Sequence, residues 1–174
     1  MDGYGTSPLE LMACEAMLNG LAYLDEFTYS ATWLTATTTA LGANGTVDVT
    51  IAINGDSDFV AQEYNLTGWS AVNTIVASPD LLITIVRSGS GREIMSDAQH
   101  VANLCGGYYA SRSAPGRLPL ASLYQSQNNV RVRLTDRSGV AWNRIDFNMR
   151  GFKVFYQKNA QGQTGNRQSI FHAL

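Results

Sequence analysis

The chain is poor in charge. Its 12 Lys and Arg and 14 Asp and Glu make up 15% of 174 residues and leave a formal charge of −2, where an ordinary domain carries about a quarter charged residues. Nucleic-acid binding needs clustered Lys and Arg to displace counterions, and that electrostatic footprint is missing. Cysteine is scarce too: Cys14 and Cys105 stand far apart with no metal-like spacing, so two buried free thiols are expected rather than a disulfide framework. No apolar run approaches ~18 residues, so no transmembrane helix is expected. The first residues, "MDGYGTSP", have neither the basic region nor the apolar core of a secretory signal, and a soluble product of a cytosol is expected.

What remains is a neutral, polar chain with 16 glycines and many Ser, Thr, Asn and Gln. Its length suits one domain, or one domain with arms, and a domain of this size buries about 70% of its unfolded surface. Such a surface packs readily against other subunits, because little charge must be desolvated.

One helix is signalled near the start. In "SPLE", Ser7 suits an N-cap, Pro8 the first helical position and Glu10 a capping box. Leu9, Met12, Ala13, Ala16 and Met17 follow at helical spacing, and Asn19-Gly20 supplies a stop. A second apolar stripe runs through Leu11, Cys14, Leu18 and on to Leu21, leaving only Glu10, Glu15 and Asn19 clearly polar. A helix apolar on most of its circumference must be covered on more than one side. Either it is wedged inside its own domain, or one stripe packs on the domain and the other meets a neighbouring subunit.

Beyond Asp25 the pattern switches to period two. Phe27, Tyr29, Ala31 and Trp33 alternate with Thr28, Ser30 and Thr32; Val47, Val49, Ile51 and Ile53 form a second series. "DFVAQEYNLTGW", "LLITIVRS", "NNVRVRLTD" and "AWNRIDFNMRGFKVFYQ" add further strands separated by Gly, Asn, Pro and Ser. Short alternating strands with turn residues between them argue for an all-β sandwich. The stretch 93–107 reads as a short helix or an irregular strand pair. From Gln157 the chain is rich in Gln, Asn and Gly before ending on the apolar "IFHAL", which reads as a flexible linker carrying a docking tip or as a disordered tail. The expected division is residues 1–25 as arm and helix, 26–156 as sandwich and 157–174 as tail.

Several motifs suggest chemistry and fail on spacing. "RSGSGR", from Arg87 to Arg92, follows a strand as a phosphate loop would. Gly89 and Gly91 are only two apart, however, no Lys-Ser/Thr pair follows and position 94 is Ile, so a turn is expected. Asn54, Asp56 and Asp58 have the first three spacings of a calcium loop, but Phe59 and Asn65 occupy the places of its Gly and Glu. His100 near Ser96 and Asp97, and His172 near Gln168, form neither a nucleophile elbow nor a metal pair. "NGT" at Asn44 and "NLT" at Asn65 match the glycosylation pattern incidentally. Trp33, Trp69 and Trp142 suit a sugar-stacking face or, more simply for strand aromatics, a core or a subunit interface.

From "NLTGWSA" at Asn65 to "GFKVFY" at Tyr156 the order of features carries a resemblance. "LLITIVRSGSGREIM" runs a strand into a Ser/Gly turn; "RLPL" at Arg117–Leu120 and "ASLY" follow. "SQNNVRVRLTDRSG" then leads to "NRIDFNMRGFKVFY", with a glycine inside the closing strand. This half of the chain resembles small virion proteins of tailed bacteriophages, the head-decoration (cement) and neck proteins built on jelly-roll sandwiches. The resemblance implies a structural role without catalytic residues, and an "RSG" turn that makes a hairpin with the closing strand.

The expectation is therefore an all-β, jelly-roll-like antiparallel sandwich with one N-terminal helix and an extended C-terminal arm. Its expected role is a non-enzymatic subunit of a phage particle made in the bacterial cytoplasm, as capsid decoration or else as a neck, collar or tail component. The competing classes are a carbohydrate- or receptor-binding module and an enzyme whose site is assembled from distant residues. No cofactor and no metal are expected. The expected partners are copies of itself and other virion proteins, with no nucleic acid and no membrane. The residues expected at subunit contacts are Leu11, Cys14, Leu18, Arg87, Arg92, Ile170, Phe171 and Leu174.

Overall fold

The structure is a computed structural model that describes residues 6–35, 41, 44–76, 79–87, 97–105, 108–109, 112–113, 116–139 and 141–171, with the backbone alone between 108 and 120. Arg92 and Leu174, the whole Ser/Gly stretch after Arg87, and Ser96 lie outside the described residues.

The elements in order are α1 (Pro8–Leu18), β1 (Ala22–Leu34), β2 (Thr46–Ala52), β3 (Asp58–Ser70), β4 (Leu81–Arg87), β5 (Gln99–His100), α2 (Val101–Leu104), β6 (Tyr108–Tyr109), β7 (Arg112–Ser113), β8 (Gly116–Tyr124), β9 (Asn129–Asp136), β10 (Trp142–Tyr156) and α3 (Arg167–Ile170). The stretch 93–107 thus holds both a short strand and a short helix. β1 begins at Ala22, ahead of the boundary expected at residue 26, because Ala22 to Leu34 pair residue for residue with Tyr156 to Arg144 of β10.

Two four-stranded sheets form the body, ordered β1-β10-β3-β8 and β2-β9-β4-β5, with β6 and β7 making a small ribbon. All pairings are antiparallel. The pairs β1–β10, β2–β9, β3–β8 and β4–β5 are those of one long hairpin doubled at its middle, and rolling that hairpin brings β10 beside β3 and β9 beside β4. This is the jelly roll, the double-sheet solution that leaves few exposed edges. One local expectation differs. Arg137–Gly139 is not a hairpin turn, since β9 and β10 belong to opposite sheets and the turn crosses between them. Asp136 holds that crossing: its Oδ1 accepts from Ser138 N (3.0 Å), Ser138 Oγ (2.6 Å) and Trp142 Nε1 (3.1 Å).

The period-two alternation sends one side of every long strand inward. Tyr29, Trp33, Ile51, Phe59, Ile83, Val132, Leu134, Phe147 and Met149 form the core between the sheets. A second core lies on the outer side of the β1-β10-β3-β8 sheet, where Leu9, Ala13 and Ala16 of α1 meet Val60, Val154, Ala121 and Leu123. Small side chains at positions 13 and 16 let the helix lie close to the sheet. β10 carries a register shift between Arg150 and Gly151. A Cβ on Gly151 would stand 1.9 Å from the Val60 carbonyl oxygen, so glycine is required for that approach.

The tail is not an extended arm over its described length. Gly165 N donates to Gln157 O (2.7 Å) and Gln157 N to Leu21 O (2.9 Å), and Lys158 bridges Thr164. α3 then closes onto the second core with Ile170 and Phe171 buried at 4% and 3% exposure.

Candidate functional site

α1 begins as its sequence signalled. Ser7 Oγ accepts from Glu10 N (3.3 Å), Ser7 N donates to a Glu10 carboxylate oxygen, and Pro8 opens the helix. Gln62 of β3 donates to the other Glu10 oxygen. Glu10 is buried, and each of its carboxylate oxygens accepts a hydrogen bond that offsets the cost of burial. The sheet covers Leu9, Ala13 and Ala16. Most of the second stripe lies bare: Leu11 is 57% and Leu18 82% exposed, and Cys14 is exposed between them, whereas Leu21 is half-buried against the second core. Met17, expected to face the domain, also lies out at 44%, since its helical position points beyond the sheet contact. Tyr23, just after the helix, is exposed as well. One stripe packs on the sandwich, while Leu11, Cys14 and Leu18 of the other have no cover among the described residues. Cys14 is thus not a buried thiol as expected, whereas Cys105 is, and both are free. Burial pushes the Cys105 thiol up to about 12.

Arg87 closes β4 and reaches across the gap between the sheets. Its guanidinium stacks 5.0 Å over the Tyr124 ring, while its Nε is buried without a hydrogen-bond partner. Below it the Tyr124 and Tyr64 hydroxyls bond each other. Burial raises both tyrosines above their ordinary range. Arg87 also forms one wall of a cleft of about 480 Å³ over β8, the edge strand of its sheet. Leu9, Leu123 and Phe171 provide apolar surface there, and Ser122, Gln125, Arg167 and Gln168 provide polar groups. Of the residues expected at subunit contacts, the structure brings Arg87 and Phe171 together in this cleft and leaves Leu11, Cys14 and Leu18 on the outer helix. Ile170 and Phe171 are core residues of their own domain, not an arm tip.

Arg167 was not singled out by any motif. It holds the buried Asp58 through two hydrogen bonds, so Asp58 points inward, away from Asp56, which lies near Lys153 (3.8 Å). The three side chains with calcium-loop spacing do not converge. A second cleft, of about 440 Å³, runs beside α1 and is lined by Glu10, Glu26, Glu63, Gln62, Arg150 and Cys14. Among the described residues no group of three His, Cys, Asp or Glu is placed to hold a metal ion. His100 caps α2 through Nδ1, which accepts from Ala102 N (3.2 Å), and its Nε2 lies 3.3 Å from Asp80. Trp33 and Trp142 are core residues at 1% and 3% exposure, and Trp69 lies under the Arg144 guanidinium (4.9 Å), so the three tryptophans do not share a sugar-stacking face. No described helix is long and apolar enough to cross a membrane.

No family model and no curated protein sequence matches the chain. Among solved structures it is similar to the infectious bursal disease virus VP2 subviral particle, at 14% identity and a TM-score of 0.30. The likeness covers 81% of this chain and 34% of that one, so the chain spans about a third of its length.

Proposed function

We propose that the chain is a non-enzymatic structural subunit of a phage particle, a head-decoration protein that works by adhesion. The observation that carries this reading is the bare stripe of Leu11, Cys14 and Leu18 on a helix whose opposite face is already committed to the sandwich. An apolar side chain contributes about 1.5–3 kcal/mol when moved from water into a contact, and contiguous apolar surface of this kind marks interaction sites. The jelly roll supplies a body of two packed sheets, and the low charge of the chain keeps the desolvation cost of packing small. Each subunit would lap its neighbours over an interface on the order of 1,200–2,000 Å², and symmetry would multiply many modest contacts over a shell.

Protein mass analysis of purified particles tests this directly. Hundreds of copies per particle fit decoration, a ring of about six or twelve fits a neck or tail position, and absence from particles removes the reading. In the same particles, Leu11→Asp with Leu18→Asp should abolish incorporation while the isolated protein stays folded. Normal incorporation of that variant would show that the stripe is not the contact.

A further inference from the structure

We propose that the cleft over β8 is a binding site for a carboxylate carried on an apolar stem. Its lining is locally opposite to the rest of the molecule. In a chain with more acidic than basic residues, the walls of this cleft carry two arginines, Arg87 and Arg167, and no acidic residue among the described residues. The two guanidiniums are not equivalent. Arg167 is already matched by the bidentate contact with Asp58. Arg87 has no carboxylate partner among the described residues, and stacking on Tyr124 holds its planar fork in place. A pre-positioned fork loses little freedom when it binds, which favours a planar anion.

Charge counting selects the anion. One uncompensated guanidinium matches a single negative charge, whereas a phosphate group brings about −1.5 to −2. The Gln125 and Gln168 carboxamides add neutral donors along the walls. Leu9, Leu123 and Phe171 complete the cleft with surface suited to methylene groups, which a bare inorganic anion would leave unfilled. The volume, about 480 Å³, lies within the usual range of about 300–1,000 Å³ for ligand sites. A glutamate side chain of another polypeptide and a free aliphatic carboxylate share this chemistry. The site stands independently of the particle role.

The test titrates isotopically labelled protein with hexanoate and with hexanamide, and with a blocked pentapeptide, Ac-Ala-Leu-Glu-Leu-Ala-NH2, and its glutamine counterpart. Amide shifts of Leu123 and Phe171 report occupancy. The acid of each pair should bind about tenfold tighter than its amide, the factor given by one charge-assisted bond of about 1.4 kcal/mol. Arg87→Gln should erase that preference. Gln125→Glu should do the same by placing a competing carboxylate at an exposed position, and it decides the matter if Arg87→Gln fails to fold. Tighter binding of the peptide than of hexanoate assigns the site to a polypeptide partner; equal or weaker binding assigns it to a small carboxylate. Equal affinity for acid and amide in both pairs, or a preference that survives both variants, overturns the proposal.

Discussion

Arg167 grips Asp58 across 109 positions of sequence, with Nε 2.6 Å from Oδ2 and Nη2 2.7 Å from Oδ1. The Asp58 carboxylate is wholly buried at the start of β3. It also accepts from Ser126 N (2.7 Å) and from the Tyr156 hydroxyl. One ion pair therefore ties α3, the turn before β9 and the end of β10 to a single point, and it makes the tail part of the domain.

This pair makes stability depend on acid. Burial alone would raise the Asp58 pKa, but the Arg167, Tyr156 and Ser126 hydrogen bonds outweigh it and hold the group below its ordinary value. A carboxylate depressed in the folded state contributes stability that is complete above its unfolded pKa of about 3.9 and is lost as pH falls through the lower folded value. Arg167→Ala should cost about 3 kcal/mol at neutral pH, the low end for breaking a buried pair because the arginine is partly exposed. The check is thermal unfolding of both proteins from pH 7 to pH 2. The gap between them should stay constant down to about pH 5 and close below about pH 4.

Phe171 and Leu18 should respond oppositely to substitution, although both are apolar residues near a chain element first read as a contact surface. Phe171→Ala removes a side chain that is 3% exposed in the second core and should cost about 3 kcal/mol. Leu18→Ala alters one that is 82% exposed and should change stability by no more than about 0.5 kcal/mol. Denaturant unfolding of the isolated protein measures both. A tail acting only as a loose arm would make the Phe171 change silent.

The two thiols should differ as sharply. Cys14 is exposed on α1, while Cys105 is buried with its pKa pushed up to about 12, and the thiolate is the reactive form. A chromogenic disulfide reagent at pH 8 should titrate one thiol per native chain quickly and the second only after denaturation. Two fast thiols in the native protein would contradict the packing around Cys105.

Much of the local structure was legible before any coordinates. Ser7, Pro8 and Glu10 announced the helix start because capping is chemistry within four residues. The alternation of Val130, Val132 and Leu134 with Arg131 and Arg133 announced a strand because side chains in a sheet repeat every two residues. The candidate site was half legible. The stripe of Leu11, Cys14 and Leu18 stood out as one apolar face too many. The cleft did not, since Arg167 sits in a stretch whose Gln, Asn and Gly composition resembles a linker, and its partner opens a strand 109 residues away. Of the two Glu10 contacts, the capping box with Ser7 was legible, and the bond from Gln62 was not, because Gln62 is remote in sequence.

By itself the sequence determined the elements, the sandwich class and the surplus of apolar surface on α1, because each follows from periodicity or capping within a few residues. The tertiary structure alone decided which strands pair, which stripe of α1 the sheet covers, and that the tail folds back instead of reaching out. Those outcomes depend on contacts between distant residues, above all the burial of one carboxylate that a guanidinium from the far end of the chain stabilises together with Tyr156 and Ser126.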